Sequence, residues 1–125
     1  MEIAFFAGRV IAGIYFLTNA YSHLVKTNQL AGYASMKGVP QPKLAVFVSG
    51  ILLLLGGFSV LFNMYLPIGI FLLIIFLLPV TFLMHAFWKE KNPHIRSTEY
   101  IQFMKNMALV GLLLMLLGVL SPIGF

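Results

Sequence analysis

Cysteine is absent from this 125-residue chain, and acidic side chains are few. The absence of cysteine excludes disulfides, thiol redox relays, iron–sulfur ligation and thiolate metal sites. The three acidic residues, Glu2, Glu90 and Glu99, form no carboxylate pair, and no nucleophile–base constellation accompanies them. No Gly-x-Gly-x-x-Gly motif occurs, so a flavin or nucleotide site of that type is not predicted. We therefore predict no catalytic residue and no metal site.

Charge is scarce as well. Only 9% of the residues are charged, whereas 61% are hydrophobic. A globular protein carries roughly a quarter charged residues, and a soluble domain of this length could not bury so much apolar surface. The net charge of +5 comes from residues that flank apolar runs and form no stripe, which indicates membrane topology rather than nucleic-acid binding. The predicted partner is a lipid bilayer.

Four apolar runs predict an all-α polytopic membrane protein, a bundle of four transmembrane helices in one domain, residues 1–125. The fourth run, Met107–Leu120, is long enough to span a bilayer only if its helix starts near Thr98. Ser97 or Thr98 would then cap that helix, and Glu99 would favour its first turn. The predicted helices cover about residues 3–25, 43–63, 66–87 and 98–121.

The connections between these helices differ in length. In the first loop, Leu30, Tyr33, Ala34 and Met36 can form one face of a short interfacial helix. Only residues 63–65 separate helices two and three, which predicts that these helices are antiparallel neighbours.

The basic residues predict the orientation. Seven of the eight Lys and Arg residues lie in or beside the first and third loops, and Arg9 is the exception. The positive-inside rule then places loops 26–43 and 88–105 in the cytoplasm and both termini outside, in the cell (inner) membrane. A homo-oligomer is compatible with this arrangement.

Small residues at four- and seven-residue spacing predict where helices pack closely, because helix association in lipid depends on close backbone approach. We also expect Pro79 to kink helix three. The small residues are Ala4, Gly8 and Ala12 on helix one, Gly50 and Gly57 on helix two, and Gly111 and Gly118 on helix four.

Polar residues inside the apolar runs predict a pocket at the cytoplasmic ends of the helices. Arg9 and His23 lie within about 40° on one face of helix one and about 21 Å apart along it, and Asn19 is one turn before His23. Helices one and three run in the same direction, so His85 should reach a depth similar to that of His23. The predicted ligand-binding residues are Asn19, His23, His85, Trp88, Lys105 and Asn106.

A purely structural interpretation accounts for the same residues. Trp88 can belong to the interfacial aromatic belt, and each histidine can serve as a hydrogen-bonding partner between helices. Arg9 can snorkel to the headgroups or pair with Glu2, and anion binding is the alternative role for its guanidinium.

Several segments resemble the DoxX family of small four-helix membrane proteins over nearly the whole chain, and plant lesion-inducing-like proteins are similar in layout. They are GRVIAGIYFLTNAYSHL, GVPQP, SGILLLLGG and FLLPVTFLMHAFW with FMKN opening helix four. The resemblance implies that Arg9, His23, His85, Lys105 and Asn106 occupy recurrent family positions. Relatives often carry a carboxylate before the glycine pair of helix two. Here ILLLLGG has none, which argues against a proton-coupled mechanism that depends on it.

The resemblance implies two functions, since some family members are subunits of thiosulfate:quinone oxidoreductase and distant relatives are assembly factors. The first is a quinone- or lipid-interacting accessory subunit of a membrane redox system, with electrons supplied by a partner protein. The second is a non-enzymatic assembly, scaffold or stress-response accessory protein. Haem ligation by His23 and His85 is disfavoured because both lie near helix ends and no further haem signature exists.

Overall fold

The computed structural model describes residues 2–120, and these residues form four long helices and two short ones. The long helices are all long and apolar enough to cross a membrane, with the third apolar stretch continuing to Lys89. The prediction of an all-α polytopic membrane protein is therefore confirmed. The elements are α1 (Glu2–Val25), α2 (Thr27–Met36), α3 (Pro42–Phe62), α4 (Leu66–Met84), a 3₁₀ helix (Phe87–Lys89) and α5 (Pro93–Leu120).

Helix α4 ends at Met84 rather than at the predicted residue 87. Ala86 adopts φ −78° and ψ 76°, and the backbone N–H of Phe87 donates to the carbonyl of His85 at 2.9 Å. This geometry is an inverse γ-turn, which cannot continue a helix. The backbone N–H of His85 still donates to the carbonyl of Thr81 at 3.2 Å, so His85 keeps the helical register and the turn begins directly after it.

Helix α5 starts at Pro93, earlier than the predicted residue 98, so the predicted cap at Ser97 or Thr98 is wrong. The side-chain oxygen of Asn92 accepts the backbone N–H groups of His94 at 2.9 Å and Ile95 at 3.3 Å. An asparagine cap followed by proline in the first helical position is a strong helix start.

The chain divides into two compact units, Met1–Leu73 and Ile74–Phe125. In the first unit, α1 packs along α3, and the buried residues of α1 are Gly13, Phe16 and Ala20. A Cβ on Gly13 would lie 2.7 Å from the Cβ and 2.9 Å from the Cα of Leu61. The two backbones therefore touch at Gly13, on the face that also carries Arg9 and His23.

Some of the predicted small-residue contacts are present and others are not. A Cβ on Gly50 would lie 2.7 Å from Leu24, and one on Gly57 would lie 2.9 Å from Leu17, which confirms both positions on α3. A Cβ on Gly8 or Gly111 would meet no described atom within 4 Å. The predicted stripe through Gly8 therefore does not form the α1–α3 contact.

Arg9 also contributes to the contact between α1 and α3. Its Nη1 donates to the carbonyl of Leu61 at 3.0 Å, and its guanidinium lies 5.3 Å and 5.5 Å from the ring centroids of Phe5 and Phe6. Leu61 is in the last turn of α3, where carbonyls lack helical partners and the helix dipole favours a cation. Arg9 thus caps the end of α3, a role that the sequence did not reveal.

The three-residue link between α3 and α4 is held by Ser59. Its hydroxyl donates to the carbonyls of Met64 at 2.6 Å and Tyr65 at 3.2 Å. Gly69 of α4 abuts Ser59 so closely that no Cβ fits there. The end of α3 and the first turns of α4 are therefore neighbours, as the length of the link predicts.

The glycine contacts predict opposite effects for two Gly→Ala substitutions on α1. We expect Gly13→Ala to lower the unfolding free energy by about 1–3 kcal/mol, because its new methyl group meets the backbone of Leu61. Gly8→Ala is the matched control and should be neutral or stabilising, since it meets nothing and alanine favours helices. Thermal unfolding of both variants in detergent would measure this. Equal melting temperatures would contradict the α1–α3 contact.

Candidate functional site

The second unit brings an imidazole and a carboxylate together. Nδ1 of His85, directly after α4, lies 3.5 Å from Oε1 of Glu99 in α5. The Glu99 side chain is only 5% exposed and that of His85 17% exposed. Because α5 starts at Pro93, Glu99 lies in its second turn rather than at its solvated end.

Buried polar residues mark one face of each helix beside this pair. Glu99 and Asn106 are seven residues apart, and both belong to the buried face of α5. Thr81 is fully buried one turn before His85, and its hydroxyl donates to the carbonyl of Leu77 at 2.5 Å. Thr81, Glu99 and Asn106 are the buried polar side chains of the described residues 2–120.

Burial of a carboxylate in an apolar protein is costly unless a proton or a cation neutralises it. His85 is the group that the structure places within ion-pair distance of Glu99. A protonated imidazole at this distance would balance the charge of the buried Glu99 carboxylate.

Five aromatic rings form a cluster where α4 ends and α5 begins. Phe103 is its centre, with ring centroids 5.4 Å from Phe82, 5.4 Å from Phe87 and 5.7 Å from Trp88. Phe87 also lies 5.0 Å from Tyr100 in an edge-to-face arrangement. Phe82, Trp88 and Tyr100 are each nearly half exposed, so the cluster keeps open ring surface.

The cluster and the pair are joined through α5. Phe103 is one turn after Glu99, and Tyr100 follows Glu99 directly. Trp88, a predicted ligand-binding residue, belongs to the cluster. Lys105, another, is exposed on α5 next to the buried Asn106.

The predicted site residues of α1 lie in the first unit. Asn19 donates its side-chain amide to the carbonyl of Tyr15 at 2.9 Å. Nδ1 of the half-buried His23 lies 2.8 Å from the carbonyl of Asn19, and because a carbonyl only accepts, this nitrogen carries a proton. The convergence of Asn19 and His23 with His85 and Asn106 stays a prediction, since the two pairs belong to different units.

Glu99 is the site residue that sequence reasoning missed. We interpreted it as a favourable charge at a helix start, because the fourth helix was predicted to begin at residue 98. Two signals indicate its actual position. Asn92 followed by Pro93 is a helix start, and the seven-residue spacing places Glu99 on the same face of α5 as Asn106.

Comparison with known proteins identifies one family. The DoxX family model matches residues 4–86, which include Arg9, Asn19, His23 and His85. Glu99 and Asn106 follow the matched range. No curated protein and no solved structure matches this chain. Because the family model covers well over half of the sequence, the protein belongs to the DoxX family.

Proposed function

We propose that this DoxX-family membrane protein is a quinone-interacting accessory subunit of a membrane redox system. The observation that carries the proposal is the buried His85–Glu99 pair, at 3.5 Å, beside the aromatic cluster. The headgroup site consists of His85, Glu99 and the five rings of that cluster. Asn19, His23, Lys105 and Asn106 remain candidate contributors.

The residues present fit a quinone headgroup. A quinone carbonyl accepts a hydrogen bond, which a protonated imidazole can donate, and the reduced hydroxyl donates one, which a carboxylate can accept. The open ring surface of Phe82 and Trp88 provides a planar apolar partner. When bound, a quinone supplies two-electron, two-proton chemistry.

The role of this chain in that chemistry is to bind, to orient and to hold a proton. Nδ1 of His85 faces Glu99, so a protonated His85 would donate to the quinone from Nε2, and Glu99 keeps the resulting charge neutralised within the apolar surroundings. Electrons are assigned to a partner protein, because the sequence contains neither cysteine nor a Gly-x-Gly-x-x-Gly motif. The protein is therefore an accessory subunit rather than an enzyme acting alone.

The missing carboxylate on helix two argues against a proton-coupled mechanism that depends on it, and Glu99 offers another carboxylate. The ILLLLGG segment lacks the carboxylate that relatives often carry before the glycine pair of helix two. Glu99 provides a buried carboxylate on α5 instead, and its partner is a histidine. Proton transfer at the site does not then require an acidic residue on α3.

One observation supports a second candidate function, a non-enzymatic assembly or scaffold protein. The His85–Glu99 contact ties the residue after α4 to the second turn of α5, and the same contact can act purely as a structural link. In that case the aromatic cluster would hold lipid or a partner helix. The two functions differ in whether quinone accompanies the protein.

Quinone retention tests the first function. We expect His85→Ala to reduce co-purified quinone about tenfold, because this is the change in affinity that corresponds to the free energy of one lost hydrogen bond to a charged group. His94→Ala is the matched control, because His94 is exposed in the first turn of α5. The measurement is mass spectrometry of lipids retained after extraction into polymer-bounded membrane discs. Wild-type protein without quinone, or equal quinone in both variants, would reject the proposal.

Thermodynamic coupling between His85 and Glu99 tests the pair itself. Single variants His85→Ala and Glu99→Gln should each destabilise the protein, and the double variant should lose less than their sum by about 1 kcal/mol or more. Replacing His94 instead of His85 in the same cycle should give additive effects. Unfolding in mixed micelles measures all variants. Additivity in the His85 cycle would mean that the two side chains do not interact.

The orientation is proposed with loops 26–43 and 88–105 in the cytoplasm of a cell with an inner membrane. Because the chain has no cysteine, single cysteines report on it without background. Exposed Ser35→Cys and Ser97→Cys should resist a membrane-impermeant maleimide in intact spheroplasts, whereas exposed Met64→Cys should be labelled. The reverse pattern would invert the proposed topology.

A further inference from the structure

Asn106 is a buried amide that has no hydrogen-bond partner among the residues that the structure describes. It is 6% exposed, and no hydrogen bond joins its side chain to any residue in that part of the chain. The other two buried polar side chains have partners there. Thr81 donates to a backbone carbonyl one turn earlier, and Glu99 lies 3.5 Å from His85. The amide of Asn106 is therefore available to a bound molecule.

An unpaired amide is costly at this position. Asn106 lies in the span Pro93–Leu120, and the hydrocarbon of a bilayer offers neither donors nor acceptors that could replace water. The side chain also has too little exposed surface for a helix of another protein to cover it. Both facts favour a small molecule as the missing partner.

Asn106 and the His85–Glu99 pair flank the centre of the aromatic cluster. On α5, Glu99, Phe103 and Asn106 follow one another at four- and three-residue spacing, which places them on one face of the helix. From Glu99 to Asn106 the axis of α5 rises by about 10.5 Å, at 1.5 Å per residue. The order along this face is thus a polar group, an aromatic ring and a second polar group.

A flat ring with an oxygen at each of two opposite edges matches this order. The two carbonyls of a 1,4-quinone point in opposite directions, and each accepts a hydrogen bond. The imidazole of His85 donates at one edge, and the amide N–H of Asn106 can donate at the other. When the ring is reduced, its oxygens become hydroxyls, and the amide oxygen of Asn106 can accept from one of them. An amide therefore suits both redox forms.

We propose that Asn106 is the second hydrogen-bonding residue of the quinone headgroup site, and that the site selects rings with two opposed oxygens. This assignment rests on the proposed quinone function. The other candidate contributors are less suited, because Asn19 and His23 bond to carbonyls of their own helix and Lys105 is exposed.

Replacement of Asn106 by leucine separates ligand binding from stability. Leucine resembles asparagine in shape but forms no hydrogen bond, so loss of an unpaired amide should leave the melting temperature of the ligand-free protein unchanged or raised. Asn106→Leu should also weaken the binding of 1,4-naphthoquinone about tenfold, which corresponds to one hydrogen bond. A lowered melting temperature would show that the amide is paired within the folded protein and would overturn the proposal.

Trp88 provides the binding measurement. It is the single tryptophan of the chain, and its ring lies in the aromatic cluster, 5.7 Å from that of Phe103. Quinones quench indole fluorescence on contact, and the absence of cysteine prevents their addition to thiols. Fluorescence titration of the full-length protein in detergent therefore gives the dissociation constant at this site.

A ligand with one carbonyl tests the selection of opposed oxygens. The probe is 1-tetralone, which has the bicyclic frame of 1,4-naphthoquinone but a single carbonyl. Wild type should bind the quinone about tenfold more tightly than the ketone, whereas Asn106→Leu should bind both within about twofold of each other. Gln29→Leu, which removes an exposed amide on α2, is the control and should behave as wild type.

The outcomes separate this assignment from the quinone function itself. The same preference for the quinone in wild type and in Asn106→Leu would reject the role of Asn106 and leave the quinone function standing. Binding of neither ligand by wild type would overturn both.

Discussion

A carboxylate placed among apolar helices needs a proton or a cation nearby, and for Glu99 that partner is His85. Two features of the backbone accompany the contact. The γ-turn at Ala86 ends α4 directly after His85, and the Asn92 cap starts α5 early enough to place Glu99 in its second turn. The site is therefore built by the connection between two helices as much as by the helices themselves.

Polar groups are also matched in the first unit, at the C-terminal end of α3. The last carbonyls of α3 lack helical partners, and Arg9 donates to that of Leu61 while packing against two phenylalanine rings. The close approach at Gly13 brings α1 near enough for this bond. Arg9, for which the sequence left snorkelling, pairing with Glu2 and anion binding open, is thus explained by helix capping.

The sequence predicts the parts of this fold that follow from composition and periodicity. Apolar length gives the four spans, the short link after Phe62 gives the α3–α4 contact, and Gly50 and Gly57 mark the packing face of α3. The packing face of α1 was predicted less well, because Gly8 and Gly13 have equal local propensity and only the partner helix distinguishes them. His85 and Trp88 were found as candidates from polarity and position. Glu99 was not, since its burial depends on where α5 begins.

The burial of Glu99 depends on where α5 begins, and this shows how a membrane protein with few charges can bury an acidic residue beside a histidine. A carboxylate in the middle of α3 would need a partner within the same apolar layer, and the helix offers only small and aliphatic side chains there. Next to a loop, a histidine can be turned toward the carboxylate, and aromatic rings such as Phe103 can exclude water without supplying charge. Glu99 therefore has a histidine partner because both residues lie close to the ends of their spans.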